Sequence, residues 1–225
     1  MAKVYPNASA APHASSERPK LSMINEGKDP VVLTVWKKSL LFNCNGFTVF
    51  DCKGDLVFRV DNYMEGHKGE ILLMDAAGKA LLTIRRKRLS LGDSWLVYDG
   101  ETTENPLFSV RKHVNILNNK CLAYVSAGNV GNGNGSSSPS SSWSNKQNTR
   151  TVYQIEGSYA QRNCAVYDEK RMRVAEIKQK EAVGGVGFGV DVFRLIVQPD
   201  IDPAVAMALV ILLDQMFGSS RRFSH

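Results

Sequence analysis

The sequence predicts a mainly β fold, a sheet closed around one C-terminal helix, and three observations carry that prediction. One hairpin pattern occurs three times; short runs rich in β-branched and aromatic residues follow one another with no helix between them; and an apolar stretch near the C-terminus is apolar on every side yet short. The 225-residue chain, 43% hydrophobic and 22% charged, has the composition of an ordinary globular protein and is long enough for a sizeable core.

The three hairpins are "TVFDCKGDLVFRV" from Thr48, "LLMDAAGKALLTI" from Leu72 and "AVYDEKRMRVAEI" from Ala165. In each, apolar residues lead to an Asp (Asp51, Asp75, Asp168), two residues follow, then Gly or Arg, and an alternating apolar run leaves the turn. The Asp side chain offers an acceptor to the turn backbone, and Gly54 and Gly78 tolerate positive φ. In the first outgoing arm Leu56, Phe58 and Val60 share one face, with Arg59 and Asp61 on the other.

Further strands are predicted at "VVLTVWKKSLLF", "SWLVYDG", "LFSVRKHVNIL", "CLAYVSA", "TVYQIEGS" and "VFRLIVQP". So many short strands without helices indicate a barrel or a sandwich. Residues 1–28 read as a flexible segment, 219–225 as a flexible tail, and the Gly/Ser/Asn-rich stretch 128–148 as a disordered insertion within a single domain spanning 29–218.

The apolar stretch selects the barrel. Asp202 is a good N-cap, Pro203 suits the first turn, and Gly218 is placed to end a helix over 203–217. Fifteen residues span about 22 Å at 1.5 Å per residue, short of the roughly 30 Å of a hydrocarbon core. Asp214 would also need a partner inside lipid. A helix apolar all round belongs inside protein, so it is expected to thread a barrel built from the preceding strands.

The segments "VVLTVWKKSL", "NGFTVFDCKGDLVFRVDNY", "LLMDAAGKALLTIRRKRLSLGDSWLVYDG" and "DVFRLIVQPDIDPAVAMALVILLDQM" occur in order and closely resemble the plant LURP-one-related family. The resemblance runs from about Val31 to Phe217, apart from the Gly/Ser insertion. It implies the fold shared with the tubby C-terminal domain and the phospholipid scramblases: a closed twelve-stranded antiparallel β-barrel around a hydrophobic C-terminal helix.

Little in the chain suggests an enzyme. Cys44, Cys52, Cys121 and Cys164 are scattered, without metal-ligand spacing, and are expected to be reduced and mostly buried. His13, His67, His113 and His225 are far apart. "GGVGFG" (184–189) precedes a predicted strand rather than the helix a nucleotide site needs, so it reads as a loop. No catalytic residue, metal or cofactor is expected. The N-terminus lacks the apolar run of a signal peptide and neither end carries a lipidation motif, so the expected setting is cytoplasmic, peripheral at the plasma membrane, or nuclear.

The most functional-looking feature is "IRRKRLSL", where Arg85, Arg86, Lys87 and Arg88 follow the second hairpin. Lys37 and Lys38 join them as candidates for binding an anionic ligand, and Arg111, Lys112, Arg221 and Arg222 would extend the patch if folding brought them near. Alternation on a strand sends some of this charge to water, where it would meet anionic lipid headgroups or nucleic-acid phosphates, or merely protect a strand end from pairing. The formal charge is +6, but Val31 to Val125 carries 13 basic and 10 acidic residues, far from a polycation. Trp36 and Trp95 read as barrel packing, so single-stranded nucleic acid has little support as a partner.

The leading expectation is a non-enzymatic intracellular binding module that meets anionic phospholipid headgroups, phosphoinositides included as the tubby resemblance implies. The alternative is a regulatory factor in plant defence or stress that binds proteins. Lipid scrambling, implied only by the scramblase resemblance, comes third.

Overall fold

A computed structural model describes residues 29–41, 45–62, 70–87, 92–102, 104–114, 120–128, 150–182 and 187–218. The expected flexible segments 1–28 and 219–225, and the insertion 128–148 apart from Gly128, lie outside these residues. The elements are β1 (Val31–Trp36), β2 (Asn45–Phe50), β3 (Leu56–Asn62), β4 (Glu70–Asp75), β5 (Ala80–Arg86), β6 (Ser94–Asp99), β7 (Phe108–Lys112), β8 (Cys121–Ala127), β9 (Thr151–Ser158), β10 (Asn163–Asp168), β11 (Arg173–Gln179), β12 (Val192–Val197) and α1 (Pro203–Phe217).

Each strand pairs antiparallel with its neighbours in sequence, and β1 pairs with β12, from Val31 opposite Val197 to Trp36 opposite Val192. The sheet is therefore a closed twelve-stranded barrel without free edges. Odd-numbered strands run from the end where α1 starts to the end where it finishes. Alternation decides what faces in: Leu33 and Val35 of β1, Leu82 and Ile84 of β5, and Phe193, Leu195 and Val197 of β12 are all buried.

The interior is filled by α1, which is buried at every residue from Ala206 to Leu213. More than two full turns without an exposed position mean that the helix is enclosed on all sides, as its sequence requires. Asp202 caps it, its carboxylate accepting from the backbone N–H of Ala204 at 2.7 Å and Val205 at 3.2 Å. Gly218 ends it for a different reason than the usual left-handed cap. Its φ is −59°, and a Cβ there would lie 2.3 Å from the carbonyl oxygen of Asp214, so it is space that demands glycine.

The hairpin repeat is β2–β3, β4–β5 and β10–β11. Asp51 Oδ1 accepts from the N–H of Lys53 and Asp55, Asp75 Oδ1 from Lys79, and Asp168 Oδ1 from Met172, at 2.7–2.9 Å. Gly54 (φ 90°), Gly78 (φ 89°) and Arg171 (φ 63°) take the left-handed position. In all three the register shifts just before the Asp, at Val49/Phe50, Leu73/Met74 and Val166/Tyr167. The repeat is thus a bulged turn held by a carboxylate.

These turn bonds, led by the N–H of Asp55, hold the Asp51 carboxyl below its ordinary value. Favouring the charged form in the folded state, they contribute stability that is present above the usual carboxylate range and lost as pH falls through the depressed value. Asp51→Asn should therefore show a shallower fall in stability below about pH 4 than the native chain, measured by urea melts at stepped pH. Parallel curves would remove the turn carboxylate from the acid response.

Three sequence expectations need correcting. The first strand stops at Trp36 instead of running to Phe42, and the strand predicted over "LFSVRKHVNIL" stops at Lys112, because the chain turns at the barrel rim. Trp95 does pack inside, but Trp36 is 39% exposed on the outer wall. Leu33 and Val35 hold the inward positions of β1, and period two then sends Trp36 outward.

Candidate functional site: the basic end of the barrel

The two ends of the barrel differ in charge. Among the described loop residues, the two strand residues beside each loop and the last turn of α1, the end where the helix finishes carries eleven basic and six acidic side chains. At the end where the helix starts, the same reckoning gives six basic and eleven acidic. Part of the cause is turn chemistry. The three bulged hairpins lie at the starting end and each spends an Asp on its turn, whereas the loops at the other end have no such requirement. The helix dipole agrees with this arrangement, its partly negative C-terminus lying among the cations.

All the described members of the predicted anion site lie at the basic end, but they are not one cluster. Arg85 faces the outer wall and pairs with Glu70 on β4, while Arg86 meets Asp93 at 2.5 Å. Lys87, just past β5, is exposed, and its backbone N–H bonds Ser94. Arg88 lies outside the described residues, as do Arg221 and Arg222. Arg111, register partner of the same Ser94, is exposed on β7. Lys87 and Arg111 have no acidic partner within 4 Å among the described residues.

Lys37 and Lys38 lie four strands away, roughly 19 Å around the wall at about 4.8 Å per strand. Lys38 stands over the Trp36 ring, 5.1 Å from its centre. Lys37 turns to the helix instead, where its ammonium is 2.8 Å from Asp214 Oδ1, and the Tyr159 hydroxyl donates to the same carboxylate at 3.1 Å. This supplies the partner that Asp214 needs and makes Lys37 part of a plug on the helix end. Lys112 adds to it, donating to the Met216 carbonyl at 3.0 Å and lying over Phe217.

The plug contains a residue that sequence reasoning missed. Arg162, in the turn from β9 to β10, is buried at 4% exposure with φ 51°. Its Nε donates to the Val190 carbonyl at 2.7 Å, and its guanidinium stacks on Tyr159 and Phe193. It ties that turn to the loop before β12; a lone arginine in a turn carries no sequence signal of such a role. Burial first, then the charge of Asp214, push the Tyr159 phenol far above its usual range, and burial holds the Cys164 thiol up at about 12. Neither group ionises near neutral pH.

Cys121 and Cys164 are buried and Cys52 is exposed, all as free thiols, and Cys44 lies outside the described residues. Among the described residues no group of three or more His, Cys, Asp or Glu side chains could hold a metal. The described part of "GGVGFG", Gly187 to Gly189, is followed by a turn at Val190 and Asp191 and then by β12. No described helix is long and apolar enough to cross a membrane.

Three comparisons bear on this chain. The model of the LURP-one-related family matches residues 31–214. Arabidopsis thaliana protein LURP-one-related 8 is 55% identical over 87% of this chain and 91% of its own length, and LURP-one-related 17 is 40% identical over 92% and 93%. A crystal structure of an Arabidopsis thaliana protein superposes with a TM-score of 0.58 at 24% identity, covering 84% of this chain and 91% of that one. The last likeness concerns the fold alone.

Proposed function

Since this chain belongs to the LURP-one-related family, we propose that it is a non-enzymatic binding module that meets anionic membrane surfaces, phosphoinositide-bearing ones included, through the basic end of its barrel. The observation that carries this reading is the charge reversal from one barrel end to the other. It presents Lys38, Lys87 and Arg111 without acidic partners among the described residues, so phosphates are the acceptors that suit them. Each basic group near an anionic bilayer contributes about 1 kcal/mol. The barrel interior, where other barrels hold a ligand, is occupied by α1, so recognition belongs to the outer surface. Enclosure of the only described helix also speaks against lipid scrambling. The setting proposed is cytoplasmic, peripheral at a membrane.

The test is sedimentation with phosphatidylcholine vesicles, with and without phosphatidylinositol bisphosphate. Wild type should bind only the anionic vesicles, and Lys38→Glu/Lys87→Glu/Arg111→Glu should lose that binding while melting normally. Arg85 and Arg86 are poor choices for this variant, because changing them leaves Glu70 and Asp93 unpaired. Salt near 1 M, where the Debye length falls to about 3 Å, should release the protein. Failure of the wild type to bind, or equal binding to neutral vesicles, would overturn the reading and favour a regulatory factor that binds proteins.

A further inference from the structure

The basic end is also the more apolar one. Among the described residues, the exposed large hydrophobic side chains at this end are Trp36, Leu40, Val114, Phe188 and Val190, against Val32, Leu107 and Met172 at the other. Two of them are aromatic, and both lie beside the β1–β12 seam. Lys180 Nζ is 3.3 Å from Thr34 Oγ1 and 5.3 Å from the centre of the Phe188 ring. Thr34 and Trp36 share the outward face of β1, and the register partner of Trp36 is Val192, four residues beyond Phe188. Each residue is 39% exposed and each ring has a lysine ammonium over it, Lys38 on Trp36 and Lys180 on Phe188. The acids among the described residues between β11 and β12 are Glu181 and Asp191, and Glu181 lies 3.9 Å from Arg194.

Two kinds of occupant suit half-exposed aromatics. A protein partner would favour a patch depleted of lysine, as interface cores are. A bilayer favours tryptophan at headgroup depth flanked by lysines that can reach phosphate, and here each exposed aromatic has a lysine ammonium beside it.

We infer that Trp36 and Phe188 are the membrane-inserting anchor of this end, entering the interfacial layer of an anionic bilayer while Lys38 and Lys180 engage its phosphates. This rests on the proposed membrane-binding function and names the residues that add an apolar component to it. Arg162 supports the anchor by holding the Val190 carbonyl, two residues beyond Phe188.

The experiment uses the full chain with Trp143→Phe, so that emission comes from Trp36 and the buried Trp95. Phosphatidylcholine vesicles carrying phosphatidylinositol bisphosphate, with and without bromine on the acyl chains near the headgroup, should blue-shift and quench Trp36. A matched protein that also carries Trp36→Phe should show neither change. In sedimentation, Trp36→Ser/Phe188→Ser should weaken binding about tenfold or more, since both rings lose apolar contact with lipid. Protein that sediments with the vesicles while Trp36 emission stays unchanged and the double variant binds as well would overturn the anchor and leave the electrostatic reading standing. No sedimentation of wild type would overturn both.

Discussion

A chain that stops at Asp202 will not fold. Losing α1 removes Met207, Leu209, Val210, Ile211, Leu212, Leu213 and Met216 from the interior, all of them buried. Fully burying such side chains contributes about 1.5–3 kcal/mol each, so the seven account for roughly 10–20 kcal/mol, while a whole domain is stable by only about 5–15. The loss also falls on the strands, because Leu73, Leu82, Ile84, Phe193 and Leu195 would then face a hollow instead of helix side chains. A barrel wall cannot collapse to fill a space of helix diameter, about 10 Å, without breaking its own ladders. The expected product is insoluble or molten, with no cooperative urea transition by circular dichroism. A soluble truncation with a sharp transition would mean that the barrel holds itself open.

How much of this was legible depends on the distance over which each feature is determined. The cap at Asp202, the three Asp turns and the bounds of β8 and β9 follow from neighbouring residues, and the sequence expresses them directly. An unbroken apolar helix with a single Asp called for enclosure, and the enclosure is there. The number of strands and their closure came from family resemblance, since periodicity alone left barrel and sandwich open. The outward position of Trp36 was hidden because "VVLTVW" is largely apolar on both faces, so alternation identified two faces without saying which one is inside.

The basic run is the clearest case of information that lies in register. Nothing near Arg85 or Arg86 announces their partners. Glu70 stands opposite Arg85 only because β4 and β5 pair as they do, and Asp93 reaches Arg86 across the turn into β6. Lys37 finds Asp214 from the other end of the chain because the first strand and the last helix finish at the same end of the barrel. A charge count could nominate these residues but could not say which ones the fold had already used. Arg111, which has no acidic partner among the described residues, and the lysine-topped aromatics emerge only when loops far apart in sequence are brought to one rim.

Gly157→Val should be strongly damaging at that rim. Gly157 lies in β9 opposite Cys164, with φ 117°, and a Cβ there would sit 2.2 Å from the Asn163 carbonyl oxygen and 3.0 Å from Cys164 Cα. Both obstacles are backbone atoms of the paired strand, so no rotamer change relieves them and β9 must part from β10. The damage spreads, because the N–H of Gly157 also bonds the Lys120 carbonyl at 2.8 Å and the turn that follows carries Tyr159 and Arg162, which hold Asp214 and Val190. Strain at a forbidden φ together with lost ladder bonds should cost about 3–5 kcal/mol.

Gly78→Val provides the comparison. Its φ of 89° is just as unfavourable for a branched side chain, but nothing lies within 4 Å of the added Cβ, so it should cost only the conformational strain, about 1–3 kcal/mol. Urea melts of the two variants separate strain from collision. Equal losses would mean that β9 can shift away from β10 freely, and that the plug on the helix end does not depend on their close approach.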